Sequence, residues 1–180
     1  MKNHIKKIMF CIFFILALGF IYGAYQINTT YKQVKLEEIP LGEIHELIEG
    51  IQMKVNELAI LDKEELGNRY GYNMDYEGDI KGFFVSVTYT NESDKTQMIA
   101  AYNNNIERVG YSNGIDPIPY SMCNKDGLDF ELGKGESKDI ILTYILMDFQ
   151  FTKQLWKKIK KEAFVLTTSR YPIKTNWLLK

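Results

Sequence analysis

The sequence predicts an antiparallel β-sandwich of the immunoglobulin-like kind with one or two short helices, preceded by an N-terminal transmembrane helix. Three observations predict it. Phe83, Val85, Val87 and Tyr89 alternate with Phe84, Ser86, Thr88 and Thr90, the period of a strand with one face on a core and the other toward solvent. Short runs of this kind recur along the chain, each bounded by turn-forming residues. The composition, 46% hydrophobic with twelve Tyr and ten Phe, supports a packed core and leans toward strands, whose pleat accommodates flat side chains. At 180 residues the chain is long enough for one domain and an appendage.

The appendage comes first. Lys2, Lys6 and Lys7 precede IMFCIFFILALGFIYGA, and no charged residue occurs between Lys7 and Lys32. A helix rises 1.5 Å per residue, so Ile8 to about Tyr25 just suffices to cross a hydrocarbon core. Lysines before the apolar run and none directly after it place the N-terminus in the cytoplasm and the remaining chain outside. A cleaved signal peptide is the alternative: Ala24 could end it, but Tyr22 stands where a small residue is wanted. Both readings export the domain. The expected organisation is an anchor over 1–25, a polar stalk over 26–42 punctuated by Pro40 and Gly42, and a β-sandwich over 43–180.

Within EIHELIEG, Ile44, Leu47, Ile48 and Ile51 fit helical spacing, yet Glu49-Gly50 between two apolar runs suits a hairpin turn, which is preferred. Ile51, Met53 and Val55 then alternate as a strand. The apolar phase slips to Leu58 and Ile60, and a bulge near Asn56–Glu57 absorbs the slip. Asp62 suits a helix N-cap with Glu65 completing a capping box, which gives a helix of two turns at most before Gly71. The 83–90 strand follows, and NESDK turns the chain. Residues 103–127 read as long loops with at most short strands. DIILTYILM is a strand apolar on both faces, hence central or covered. TKQLWKKIKKE reads as an amphipathic helix with Leu155, Trp156 and Ile159 on one side. AFVLTTS and TNWLL close the chain as strands, with Pro172 at an edge or in the gap between them. The sequence contains no internal repeat.

The order of these segments resembles the membrane-anchored, extracytoplasmic immunoglobulin-like domains of unknown function from Gram-positive bacteria. Asn91, Ser93, Asp94 and Lys95 match the turn after a strand, and Gly133 and Ser137 match the later turn before a covered strand. The likeness covers most of 43–180 in outline. It implies a fold and brings no catalytic residues. The longer, more basic FTKQLWKKIKKEAF departs from the pattern.

The formal charge of −1 provides no field for nucleic acid, so no nucleic-acid partner is expected. Asp75, Glu77 and Asp79 alternate as in a calcium loop, but Ile80 and Ser86 stand where an EF-hand needs Gly and a bidentate acid. His45 and Cys123 are too few for a zinc site. Nothing resembles a nucleophile motif, and no cofactor, metal or enzyme activity is expected. Two groups of residues form the expected interaction surface. Tyr70, Tyr72 and Tyr76 could fill a partner's pocket. Lys153, Lys157, Lys158 and Lys161, with Trp156, could hold anionic wall polymer or lipid headgroups. The expected function is a non-catalytic module contacting another envelope protein; the alternative is a polymer- or lipid-binding domain acting through 152–161, and an envelope hydrolase ranks third.

Overall fold

The structure, a computed structural model, describes residues 2–30, 34–72 and 75–180. It divides into two units, Met1–Lys35 and Leu36–Lys180. In the first, helix α1 (Lys2–Thr30) carries the apolar run, and Ile12–Thr30 is long and apolar enough to cross a membrane. The helix continues past Tyr25 through residues expected to be a stalk. Residues 31–33 of that segment lie outside the described residues.

The second unit has two main sheets. Strands β2 (Ile44–Ile48), β3 (Ile51–Asp62), β4 (Ile80–Asn91) and β9 (Ser137–Met147) form one, in the order β2-β3-β4-β9. Strands β1 (Lys35–Ile39), β11 (Ile173–Leu178), β10 (Val165–Ser169), β6 (Asn105–Arg108) and β7 (Tyr111–Asn113) form the other in that order. A separate pair joins β5 (Gln97–Ala100) to β8 (Asp129–Leu132). Strand β1 therefore lies within the expected stalk, because Ile39 is buried in the core.

The hairpin at Glu49-Gly50 and the bulge between Val55 and Glu57 stand where the sequence places them. Asn91 builds the following turn, its side-chain oxygen accepting from Ser93 N–H at 2.9 Å and its amide donating to Lys95 O at 2.8 Å. Phe83, Val85, Val87 and Tyr89 meet Ile140, Leu142, Tyr144, Leu166 and Trp177 in the main core. Phe84, on the opposite face, is buried too. It joins Leu61, Leu66, Tyr72, Ile80 and Ile145 in a second cluster under helix α2 (Lys63–Tyr70). The solvent face of β4 expected from the alternation is thus confined to the Ser86–Thr90 half.

Further expectations are corrected. The 103–127 region contains a helix, α3 (Pro117–Cys123), started by Pro117 and by the Asp116 side chain accepting from Ile118 N–H at 3.1 Å. Strand β9 fits the covered alternative of its expectation: it is the edge of its sheet, with Asn113 and Asn124 laid against it. The lysine segment is not one helix: α4 (Lys153–Trp156) is a single turn, and a 3₁₀ turn (Ile159–Lys161) follows. Trp156 and Ile159 are pulled to different anchors, the first to Asp79 and the second into the core, and the backbone breaks between them at Lys158 (φ −117°, ψ 10°). With α2, α3 and α4 the described part of the sandwich has three short helices where one or two are expected.

Candidate interaction cleft

The residues expected to form a surface divide into three environments. Tyr72 is core and offers no exposed side chain. Tyr70 is half-buried, stacked on Phe84 with ring centroids 5.0 Å apart. Burial pushes the phenol up, and it likewise raises the Cys123 thiol beside it.

Tyr76 and Trp156 are brought together by a polar chain at one end of β4. Tyr76 donates to Asp148 Oδ1 at 2.5 Å, and the other Asp148 oxygen accepts from Asp79 N–H at 3.2 Å. Trp156 Nε1 donates to Asp79 Oδ2 at 2.8 Å. Lys81 sits 2.8 Å from Asp62 and 3.1 Å from Asp79, and lies 5.2 Å from the centre of the Trp156 ring. The indole is therefore committed inside the fold instead of standing free as an interfacial anchor. Its face stacks on Phe151, which in turn meets Tyr111.

The expected lysines differ in their partners. Lys158 pairs with Glu162 at 3.0 Å. Lys153, Lys157 and Lys161 are exposed, and none makes an ion pair among the described residues.

The opposite end of β4 opens into a cleft of about 270 Å³ between the sheets. Residues 45–48 of β2 form one wall, Met98–Ala100 of β5 another, and Thr168, Ser169 and Thr175 of the second sheet a third. Tyr89, Asn103 and Asn104 also line it. The Asn104 amide donates to Tyr89 OH at 2.9 Å and to Ala101 O at 2.7 Å, which fixes the phenol. Burial pushes both Tyr89 and Tyr144 upward, so they act as neutral hydrogen-bonding groups.

His45 is half-buried beside the cleft. It stands 3.7 Å from Glu37, and its ring meets Trp177 edge to face. The His45 ring makes no hydrogen bond to a hydroxyl or thiol among the described residues. The Thr168 hydroxyl is buried without a partner. Among the described residues no group of three or more His, Cys, Asp or Glu side chains could hold a metal ion.

The cleft is the site that reading the sequence misses. Its walls come from residues 45–48, 98–104 and 168–175, and no local motif joins three segments so far apart. The signal available was modest: Met98 is an apolar residue beside the polar NESDK turn, and Asn103–Asn105 is a polar run interrupting apolar strands.

A family model described as "Domain of unknown function (DUF5028)" matches residues 24–175. No curated protein matches the sequence. An uncharacterized β-sandwich protein from Clostridium difficile 630 is similar in structure, with a TM-score of 0.50 and 11% identity, over 83% of this chain and 98% of that one. A conserved hypothetical protein from Bacillus anthracis has a TM-score of 0.53 and 12% identity, over 79% of this chain and 95% of that one. At such identities the likeness shows the fold alone, and it agrees with the sandwich that the alternation predicts.

Proposed function

The chain belongs to the DUF5028 family of domains of unknown function, and from that premise we propose that it is a non-catalytic interaction module, tethered outside the cell by its N-terminal helix, that receives another envelope protein at the cleft. The rim of the cleft carries the reading. Ile48 and Met98 line it and are 54% and 58% exposed, with Tyr102, 53% exposed, directly before Asn103. Apolar and aromatic side chains grouped around a recess are what partner surfaces bury. Helix α1 supports the tether by its length and composition, and the lysines before it support the orientation.

A photo-crosslinking residue at Tyr102 of the full-length protein, in intact cells, tests this reading. One dominant protein adduct is expected. Absence of any protein adduct from Tyr102 overturns it.

The unpaired Lys153, Lys157 and Lys161 favour a second reading, in which this segment holds anionic wall polymer or lipid headgroups. A crosslinker at Lys157 that recovers only such material, while Tyr102 recovers nothing, selects it.

A further inference from the structure

The walls of the cleft are strand edges. Among the described residues, strand β2 has one strand neighbour, β3, and β5 has one, β8. Side chains alternate along a strand, so a cavity over a sheet face touches every second residue. This cavity instead touches His45, Glu46, Leu47 and Ile48 in succession, and Met98, Ile99 and Ala100 in succession. The register of β2 against β3 shifts between Glu46 and Ile48, and with consecutive residues of both strands in the lining, the sides of β2 and β5 that face away from β3 and β8 border the space. The second sheet adds a third frayed edge. Pairing of β10 with β6 ends at Thr167 opposite Asn105, and the 3₁₀ turn Ala101–Asn103 then carries the chain away. Thr168 and Ser169 are left without a β6 partner, and the Thr168 hydroxyl is buried without a hydrogen bond.

The other edge of the four-stranded sheet is treated differently. The Asn124 side chain accepts from Ile141 N–H and donates to Ile141 O, both at 2.9 Å. Asp116 N–H donates to Thr143 O at 2.8 Å, and the Asn113 amide donates to Ile145 O at 3.0 Å. Thus β9 is sealed, and among the described residues no such bonds cover the free edge of β2. An unsealed edge is a template for another chain. Ile48 also lines a second, separate depression bordered by Glu49, Ser93, Asp94, Lys95 and Gln97. Its exposed charges, Glu49 and Asp94 against Lys95, leave a net negative mouth.

We infer that the partner binds by strand addition: an extended polypeptide segment, basic where it passes Glu49 and Asp94, lies along β2 in the space between β2 and β5. This inference rests on the interaction reading of the cleft and specifies its mode. Only a polypeptide backbone supplies the regular series of donors and acceptors that a strand edge lacks. Residues 45–48 offer an edge of about 13 Å at roughly 3.3 Å per residue, which engages a segment of about four residues.

The test uses full-length protein in nanodiscs, panned against phage-displayed random heptapeptides. Enriched peptides should carry Lys or Arg, and a synthetic copy should slow amide exchange at residues 46–48 and 98–100. N-methylation of two alternate backbone amides in that peptide should weaken binding about tenfold or more, because each methyl removes a donor and blocks the edge. Exchanging Glu49→Lys and Asp94→Lys together, both exposed positions, should reverse the preference from basic to acidic peptides.

A peptide that protects the cleft but tolerates N-methylation overturns strand addition and leaves the interaction reading intact. Protection elsewhere, or no enriched peptide, also overturns it, as does self-association of the full chain through β2, which assigns the edge to a second copy. The interaction reading itself falls separately, through the crosslinker at Tyr102.

Discussion

His45 meets Trp177 edge to face, with ring centroids 6.0 Å apart and planes at 82°. The contact joins β2 of one sheet to β11 of the other beside the cleft, and Trp177 is fully buried beneath it. The indole N–H has no hydrogen-bond partner, so this tryptophan stabilises through volume and surface rather than through its polar atom. Trp177→Ala should cost about 3–5 kcal/mol. Trp177→Phe gives up no hydrogen bond and should cost about 1–2 kcal/mol. Urea denaturation of the three proteins checks the ranking, and equal losses would mean that the N–H is engaged after all.

Asn124 acts as a one-residue substitute for a neighbouring strand, since its amide both donates to and accepts from Ile141. Asn124→Ala leaves that N–H and C=O unpaired at a half-buried edge, which should cost about 1–3 kcal/mol. Asn124→Asp keeps the acceptor but sets a charged oxygen against the carbonyls of Tyr120 and Ile141, so it should cost at least as much as alanine. Exchange of the Ile141 amide should quicken in the alanine variant well before global unfolding. The newly open β9 edge should also raise the tendency to aggregate, measurable by light scattering.

These two residues also show which parts of the fold a reader of the sequence can see. Periodicity is local, so the alternation at Phe83–Thr90, the slip at Asn56–Glu57 and the Asp62–Glu65 helix start each announce themselves within a few residues. Asn124 does not. Its role depends on Ile141 being brought alongside, and the sequence around it looks like any polar loop. Helix α3 escaped for a related reason: Pro117 and Pro119 suggest a break, yet a proline in the first turn of a helix gives up no intrahelical bond. The buried Phe84 shows the same limit from the other side. Its apolar character was visible, but the α2 surface covering it was not. The cleft is the extreme case, because strand edges are properties of pairing and leave no pattern of their own.

Gly50 closes the hairpin between β2 and β3 with φ of +77°. A Cβ there would stand 2.6 Å from Ser93 Cβ and 3.2 Å from the Ser93 backbone. The same residue receives Glu92 N–H on its carbonyl at 2.8 Å and gives its own N–H to Glu46 Oε1 at 2.8 Å. Gly50→Ala combines a left-handed backbone with a clash against Ser93 Cβ, so it should cost about 1–3 kcal/mol. Because the hairpin sets the position of β2, the loss should be accompanied by weaker capture through Tyr102. Thermal unfolding together with the crosslinking yield reads both effects; a stable variant with unchanged yield would show that the turn adapts.

Asp62 ties three parts of the sandwich together through its charge. Its side chain bonds Lys160 and Lys81, and the second of these also holds Asp79. Lys160 first, and Lys81 after it, keep the carboxyl below the ordinary carboxylate value against a smaller opposing effect of burial. A lowered folded value means that the folded state prefers the ionised form. The resulting stability is fully present above the unfolded value, about 3.9, and is lost as pH falls through the lower folded value. Asp62→Asn retains a residue suited to the N-cap of α2, so the comparison isolates charge from capping.

The side chain is 44% exposed, so solvent screening limits the effect to about 0.5–1 kcal/mol. The difference between wild type and Asp62→Asn in urea denaturation should be constant between pH 5 and 8 on the order of that value. It should shrink below about pH 4 as the carboxyl takes up a proton. Raising the salt concentration should also reduce it. A difference that persisted unchanged in acid would assign the loss to α2 capping instead of to the two lysines.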